Sequence, residues 1–146
     1  MADRSAHDVM QDYLAALVQR GDFERFFAPD VRWTTMETGD QVTGREAVRD
    51  FIVGFHTMAF DARPQLVGLV AQGSTAVLEA RFVGRHTGDF AGVPATGAEI
   101  DLPYCVGYTI ADGLITELRA YMPVLAMRAQ LAEAAASGRT GAPVAG

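Results

Sequence analysis

The fold is decided by residues 98–122, which read AEIDLPYCVGYTIADGLITELRAYM. Asp112–Gly113 is a strong two-residue hairpin signal, and we predict antiparallel strands over residues 98–111 and 114–122 on either side of it. Alternate residues of a strand lie on the same face. The predicted inward set is Tyr104, Val106, Tyr108, Leu118, Ala120 and Met122, and the outward set is Cys105, Gly107, Glu117, Arg119 and Tyr121.

Working outward from this hairpin, apolar periodicity and turn residues predict the remaining elements. Helices are expected over residues 5–20, 22–28, 43–55 and 124–136, and strands over residues 31–37, 63–72 and 75–86. Ser5 is a candidate N-cap of the first helix, and Gly21 is a candidate C-terminal cap.

Helices followed by a run of antiparallel strands indicate an α+β fold. We expect a cone-shaped, curved, mixed or antiparallel sheet that wraps around the N-terminal helices and leaves a deep apolar pocket. One domain should span residues 1–136, followed by a disordered tail over residues 137–146, which is rich in Gly, Thr, Pro and Ala.

Composition excludes several classes of function. The chain has 146 residues, a net charge of -6 and 12 basic residues, all of them arginine. An acidic chain is a poor partner for nucleic acids and for anionic membranes. Without lysine there is no Schiff-base lysine and no P-loop lysine. A single cysteine and three histidines that are far apart in sequence lead us to expect neither a metal nor a cofactor.

The cellular location is predicted from the apolar segments of the sequence. The N-terminus has no apolar secretory core. Nor does any apolar run approach the roughly 18 residues of a membrane span. We therefore expect a cytoplasmic protein.

A second stretch, residues 82–97, reads FVGRHTGDFAGVPATG and forms a glycine-rich turn between two long strands. Together with Gly44-Arg45-Glu46-Ala47-Val48 and Asp112–Gly113, it resembles the SnoaL-like polyketide cyclases of the nuclear-transport-factor-2-like superfamily. The resemblance covers residues 8–132. It implies a cone-shaped α+β fold, a pocket for an apolar small molecule, and a homodimer.

The resemblance also assigns positions for acid–base groups. The aspartate base of such cyclases falls on Ala120, and a histidine on the preceding strand falls on Val106. Residues 11–17 are similar to ketosteroid isomerases, whose oxyanion-binding tyrosine falls on Tyr13 and whose second acidic donor falls again on Val106. Their aspartate base falls near Thr35. Of these positions, only Tyr13 keeps the expected chemistry.

Three residues could still act chemically. Tyr13 could donate a hydrogen bond to a substrate carbonyl, or it could be a core tyrosine. Glu37 could act as a general base, or it could be a solvated strand-end carboxylate. His86 could move protons, or it could fix the turn that follows it.

The remaining candidates would bind the substrate. Trp33 could stack on it or fill the floor of the cone. The turn over residues 87–97 could be a mobile hairpin turn, or a lid with Phe90 and Val93 as its apolar plug. The full set of predicted binding residues is Trp33, Thr35, Phe90, Tyr104, Val106, Tyr108, Leu118, Ala120 and Met122.

The hypothesis that follows is a cofactor-independent cyclase of a hydrophobic, polyketide-like intermediate in secondary (antibiotic) metabolism. Ring closure would be directed by shape and would need no base, as in an intramolecular [4+2] cycloaddition. One alternative is a proton-transfer aldol cyclase or isomerase that uses Glu37 or His86. A second alternative is a protein that binds an apolar small molecule without turnover.

Overall fold

The computed structural model describes residues 5–145, with side chains described for residues 5–137. Helix α1 spans Ala6–Val18, α2 spans Arg45–Gly54 and α3 spans Val124–Ala145. The strands are β1 (Phe27–Thr35), β2 (Asp40–Thr43), β3 (Phe60–Gln72), β4 (Thr75–His86), β5 (Glu99–Ala111) and β6 (Leu114–Tyr121). A short 3-10 helix (Phe23–Phe26) precedes β1, and a π-helical turn (Phe55–Ala59) precedes β3.

The six strands form one open sheet in the order β2-β1-β6-β5-β4-β3. All neighbours are antiparallel except β1 and β6, which run parallel. The β5–β6 hairpin turns at Asp112–Gly113, where both residues have positive φ. The α+β prediction with a mixed sheet is confirmed.

Helix α1 is fixed at both ends by local hydrogen bonds. The Ser5 hydroxyl accepts from the Asp8 backbone N–H at 3.1 Å, which confirms the predicted N-cap. At the other end the left-handed residue is Arg20, with φ 57°, rather than Gly21. The Gly21 N–H then reaches back to the Ala16 carbonyl at 2.8 Å. The prediction of Gly21 as the cap was therefore wrong by one residue.

Other predicted boundaries shift because of tertiary pairing. The helix expected over residues 22–28 is only the 3-10 turn, since the chain already enters β1 at Phe27 and pairs with Ile115 of β6. Strand β2 was not predicted, and it pairs with β1 through Thr35 and Asp40. The predicted division into a domain over residues 1–136 and a tail over residues 137–146 stays a prediction. Beyond Ser137 that tail lies outside the residues whose side chains are described.

The core lies between the concave face of the sheet and helices α1 and α2. The predicted inward set of β5 and β6 is buried there, as are Tyr13 and Met10 of α1. Helix α2 is anchored to β1 because the Arg45 guanidinium donates to the Phe27 carbonyl at 2.8 and 3.0 Å. These contacts hold α2 across one end of the sheet and leave a cavity beside it.

Candidate functional site

A cavity of about 420 Å³ opens between α2, the ends of β1 and β6, and the turn after β4. We call it the main cavity. Most of its lining is apolar, as expected for a small-molecule site. It is lined by Trp33, Thr35, Thr38, Asp40, Val42, Asp50, Phe51, Gly54, Phe55, Ala59, Phe90, Ala91, Ala120, Met122 and Val124.

One wall of the main cavity carries a preorganised polar pair on β1. The Trp33 indole Nε1–H donates to the Thr35 hydroxyl oxygen at 3.0 Å. Trp33 also packs against Phe51 of α2, with ring centroids 5.1 Å apart. Because Thr35 Oγ1 already accepts from Trp33, the Thr35 hydroxyl proton is free to be donated to a ligand in the cavity.

The wall of the main cavity has an apolar residue at a position where the resemblance led us to expect a base. Ala120 lies on the wall and is fully buried, and its partner across the β5–β6 ladder is Val106, which is also buried. Neither side chain can accept or donate a proton. Five members of the predicted binding set line this one cavity: Trp33, Thr35, Phe90, Ala120 and Met122.

The other members of the predicted set lie deeper, in the core rather than on the cavity wall. Tyr104, Val106, Tyr108 and Leu118 are buried next to the cavity. Tyr13 of α1 packs against Tyr108, with ring centroids 6.0 Å apart, and against Phe27 at 5.6 Å.

Burial raises the pKa of the Tyr13, Tyr104 and Tyr108 phenols. These hydroxyls therefore stay protonated and can act only as neutral hydrogen-bonding groups.

The structure places Glu37 outside the main cavity. Its Oε1 accepts from the Leu125 backbone N–H at 2.8 Å, at the first turn of α3. A carboxylate in this position satisfies a helix N–H that has no intrahelical partner and interacts favourably with the helix dipole. Glu37 lines an open surface groove with Tyr121 and Pro123 instead.

His86 lies at the end of β4 and is fully buried. Its Nδ1 accepts from the Thr96 backbone N–H at 3.2 Å and lies 3.0 Å from the Thr96 hydroxyl. The proton is therefore assigned to Nε2, which has no partner among the described residues. The pKa of His86 is lowered mainly by burial, while a backbone contact with Gly88 and the charge of Asp89 oppose this shift. His86 at the start of the turn is therefore hydrogen-bonded to Thr96 near its end.

The turn over residues 87–97 places Phe90 over the main cavity. Phe90 stacks on Phe55 with centroids 5.8 Å apart and meets Phe60 at 5.1 Å. Arg128 of α3 donates to the Ala91 carbonyl at 2.9 Å and links α3 to the tip of the turn. This geometry is consistent with a lid whose aromatic side covers the apolar wall.

Sequence reasoning missed two carboxylates, Asp40 at the start of β2 and Asp50 on α2, which line the main cavity. Asp50 directly precedes Phe51 and lies one helical turn before Gly54, so a helical projection of α2 could have placed it beside the apolar face. Asp40 carried no such signal, because β2 forms only through its pairing with β1.

A smaller cavity of about 240 Å³ lies on the other side of α2, between the end of α1 and the start of β3. His56 lines it, and its Nδ1 contacts the Ile52 carbonyl at 2.9 Å, which assigns the proton to Nδ1. Burial lowers the pKa of His56. None of the predicted binding residues lies in this cavity.

Within the described part of the chain, no group of three or more His, Cys, Asp or Glu residues could hold a metal ion. In the same residues no helix is long and apolar enough to cross a membrane.

Comparisons with known proteins agree with the fold. The sequence profile of the SnoaL-like polyketide cyclase family matches residues 7–131. A candidate polyketide cyclase of Xanthomonas campestris is 23% identical, with 86% of this chain and 96% of that chain covered and a TM-score of 0.76. TsrD of Streptomyces laurentii is 27% identical, with 90% and 98% covered and a TM-score of 0.71.

A candidate ketosteroid isomerase of Kribbella flavida is 20% identical, with 80% of this chain and 76% of that chain covered and a TM-score of 0.62. No curated protein matches the chain. The family profile supports a cyclase role, and the solved structures support the fold.

Proposed function

Because this chain belongs to the SnoaL-like polyketide cyclase family, we propose that it closes a ring in a hydrophobic, polyketide-like intermediate without using a base. The observation that carries the proposal is that Ala120 on the cavity wall and its buried ladder partner Val106 behind it are both apolar. The resemblance expects proton-transfer groups at both positions. A reaction that needs no proton transfer, such as an intramolecular [4+2] cycloaddition, is compatible with two apolar residues at these positions.

Catalysis would come first from restricting the substrate. A flexible chain held in a reactive conformer can gain roughly 7 to 11 kcal/mol at the upper limit, because its conformational and translational entropy is lost on binding rather than in the transition state. The main cavity of about 420 Å³ offers aromatic surfaces on Trp33, Phe51 and Phe55 for this purpose. Phe90 would exclude water above them.

A second contribution would come from the Thr35 hydroxyl. Oriented by Trp33 through the 3.0 Å hydrogen bond, it would donate to a carbonyl of the substrate and withdraw electron density from the reacting double bond. In this proposal Thr35 takes the carbonyl-activating role that was one of two predicted roles for Tyr13. Support comes from its place on the cavity wall.

A proton-transfer reaction is the second candidate. Glu37 caps α3, and His86 Nδ1 binds Thr96, so both proposed bases are engaged away from the cavity. The carboxylates that do line the cavity are Asp40 and Asp50, and they favour this candidate. Binding without turnover is the third candidate and would use the same cavity.

The experiment begins with deletion of the gene in its host and comparison of metabolites by mass spectrometry. We expect an uncyclised isomer of the final product to accumulate and the purified protein to convert it. Turnover should then be repeated in D2O. A cycloaddition incorporates no solvent deuterium at carbon, whereas an aldol closure or a double-bond shift can incorporate it. An unchanged metabolite profile with an inert extract would favour the binding protein.

The biological setting belongs to the same proposal: a cytoplasmic homodimer in secondary metabolism, without metal or cofactor. The outer face of the sheet would form the two-fold interface. It exposes Val77 and Tyr121, which are 45% and 54% exposed, next to the Cys105 strand. Sedimentation of the purified chain would test the dimer, and a Tyr121→Glu variant should then sediment as a monomer.

A further inference from the structure

The charged side chains that line the main cavity are all negative. Of its fifteen lining residues, all of them described, the charged ones are Asp40 and Asp50, and none is cationic. Three arginines line the smaller cavity instead, and one of them, Arg49, contacts Asp50. The negative character of the main cavity is therefore a local arrangement and not only a consequence of the acidic sequence.

Asp50 contacts Arg49, and a second carboxylate shares the same arginine. The Arg49 guanidinium donates to Asp50 Oδ1 from Nε at 3.0 Å, and its second nitrogen lies 2.8 Å from the same oxygen. The same guanidinium lies 3.6 Å from a carboxylate oxygen of Glu24. One arginine is thus shared by two carboxylates, and the group carries a net charge of about -1. The described contacts of Asp50 leave its Oδ2 free.

Asp40 has no cationic partner among the described residues. Its Oδ2 accepts from the Thr38 hydroxyl at 3.0 Å, and the described contacts leave Oδ1 free. In the β1–β2 ladder Asp40 lies opposite Thr35, the residue proposed to donate to the substrate. A carboxylate and a hydroxyl donor therefore lie next to each other on the same side of the cavity.

The apolar walls of this cavity include ring faces, and these also favour a cation. Trp33 and Phe51 pack at 5.1 Å with an interplanar angle of 57°, and both line the cavity. The negative face of an aromatic ring attracts an ammonium group, most strongly in the case of tryptophan. Ring faces and carboxylates together are the usual elements of ammonium recognition.

We propose that the ligand of the main cavity carries a basic nitrogen, protonated at neutral pH, on an otherwise apolar body. The ammonium group lies beside Asp40 or Asp50 and against the Trp33 or Phe51 ring, and the apolar body lies against the remaining apolar lining, including Phe55. This inference rests on the proposed function and names its substrate class. A ligand with a carboxylate or phosphate at the same end would be repelled by both aspartates.

Three probes of equal length test the inference: phenylbutylamine, phenylbutanol and phenylbutanoate. Trp33 is the chain's one tryptophan, so its fluorescence reports occupancy of the cavity directly, and calorimetry gives the affinity. At low salt we expect the amine to bind about 10-fold tighter than the carboxylate, with the alcohol between them. The double variant Asp40→Asn with Asp50→Asn should lose this order.

Asp101→Asn is the matched control, because Asp101 pairs with Arg81 on the opposite face of the sheet. It removes one negative charge far from the cavity and should keep the order of affinities. Thermal melting of each variant should match the parent, because all three aspartates are exposed.

The outcomes separate this inference from the proposed function. Tight binding of all three probes with equal affinity, or an order that survives in the double variant, overturns the cation preference and leaves the apolar cavity in place. If none of the probes changes Trp33 fluorescence or produces heat, the cavity does not bind such molecules, and the proposed function fails together with this inference.

Discussion

The Trp33 indole Nε1–H donates a 3.0 Å hydrogen bond to the Thr35 hydroxyl, and both side chains line the main cavity. The bond fixes the Thr35 oxygen as an acceptor from the protein and leaves its proton available to a ligand. If Thr35 activates a substrate carbonyl, Thr35→Val should lower kcat by about 10-fold to 100-fold with little change in KM. Steady-state kinetics on the cyclisation substrate would measure this change.

The matched variant is Thr35→Ser, which keeps the hydroxyl and should retain most of the activity. Equal loss in both variants would point to packing instead of hydrogen bonding. Full activity in Thr35→Val would remove Thr35 from the mechanism.

Tyr13→Phe should have a different effect. Tyr13 is buried between Phe27 and Tyr108, away from the cavity wall. Tyr13→Phe keeps this ring packing and removes only the hydroxyl, so the free energy of unfolding should change by about 1 kcal/mol or less. We expect kcat within about 3-fold of the parent. A loss as large as that of Thr35→Val would return the oxyanion role to Tyr13.

Gly84 allows close packing between β3 and β4. It pairs with Ala62, and a Cβ at position 84 would overlap the Ala62 side chain and the Asp61 carbonyl. We expect Gly84→Ala to lower the free energy of unfolding by about 3 kcal/mol because the strands must separate locally. Chemical denaturation would measure the loss.

Gly68 of β3 is the control for that variant, because a Cβ there meets no atom within 4 Å. Gly68→Ala should leave stability unchanged or raise it by about 0.5 kcal/mol, since alanine has less backbone freedom to lose on folding. Equal losses in both variants would show that the effect is not specific to the contact with Ala62.

His86 should make stability depend on pH. Burial lowers its pKa in the folded state, and the unfolded chain therefore takes up a proton first as the pH falls. The contribution of this site to stability is complete above about pH 6.5, the ordinary pKa of histidine. It should be lost at up to about 1.4 kcal/mol per pH unit as the pH falls from there towards the folded pKa.

His86→Asn should reduce the slope and leave the part that comes from His56, because the asparagine oxygen can accept from the Thr96 N–H in place of Nδ1 and does not titrate. Melting curves of the parent and of His86→Asn between pH 5 and pH 8 measure the slope. An unchanged slope in His86→Asn would contradict the assignment.

Phe90 should control access to the main cavity. Its ring stacks on Phe55 and meets Phe60, so Phe90→Ala removes the aromatic cover. We expect acrylamide to quench Trp33 more strongly and an apolar ligand to bind about 10-fold more weakly. Phe90→Leu should restore most of the affinity. Met58→Ala serves as the control, because Met58 is 70% exposed and does not line the cavity.

Local signals in the sequence account for much of the fold. The Asp112–Gly113 turn and strand β4 lie where they were predicted, because two-residue hairpin turns and strand alternation depend on neighbouring residues. The Ser5 N-cap could also be predicted, because it depends on the neighbouring residue Asp8. Strand β2 was not, since four largely polar residues form a strand only when β1 is present to pair with them.

By itself, the sequence determined which residues face inward, that the two expected acid–base positions are the apolar Val106 and Ala120, and that no lysine chemistry is available. Only the tertiary structure decided the depth of each inward residue. Alternation assigns a face, but the packing of α1 and α2 decides that Ala120 reaches the cavity while Tyr13 and Tyr108 are enclosed in the core. The same packing places Asp40 and Asp50 on the lining of one cavity. No local pattern encodes that arrangement, because it is fixed by elements that meet only after folding.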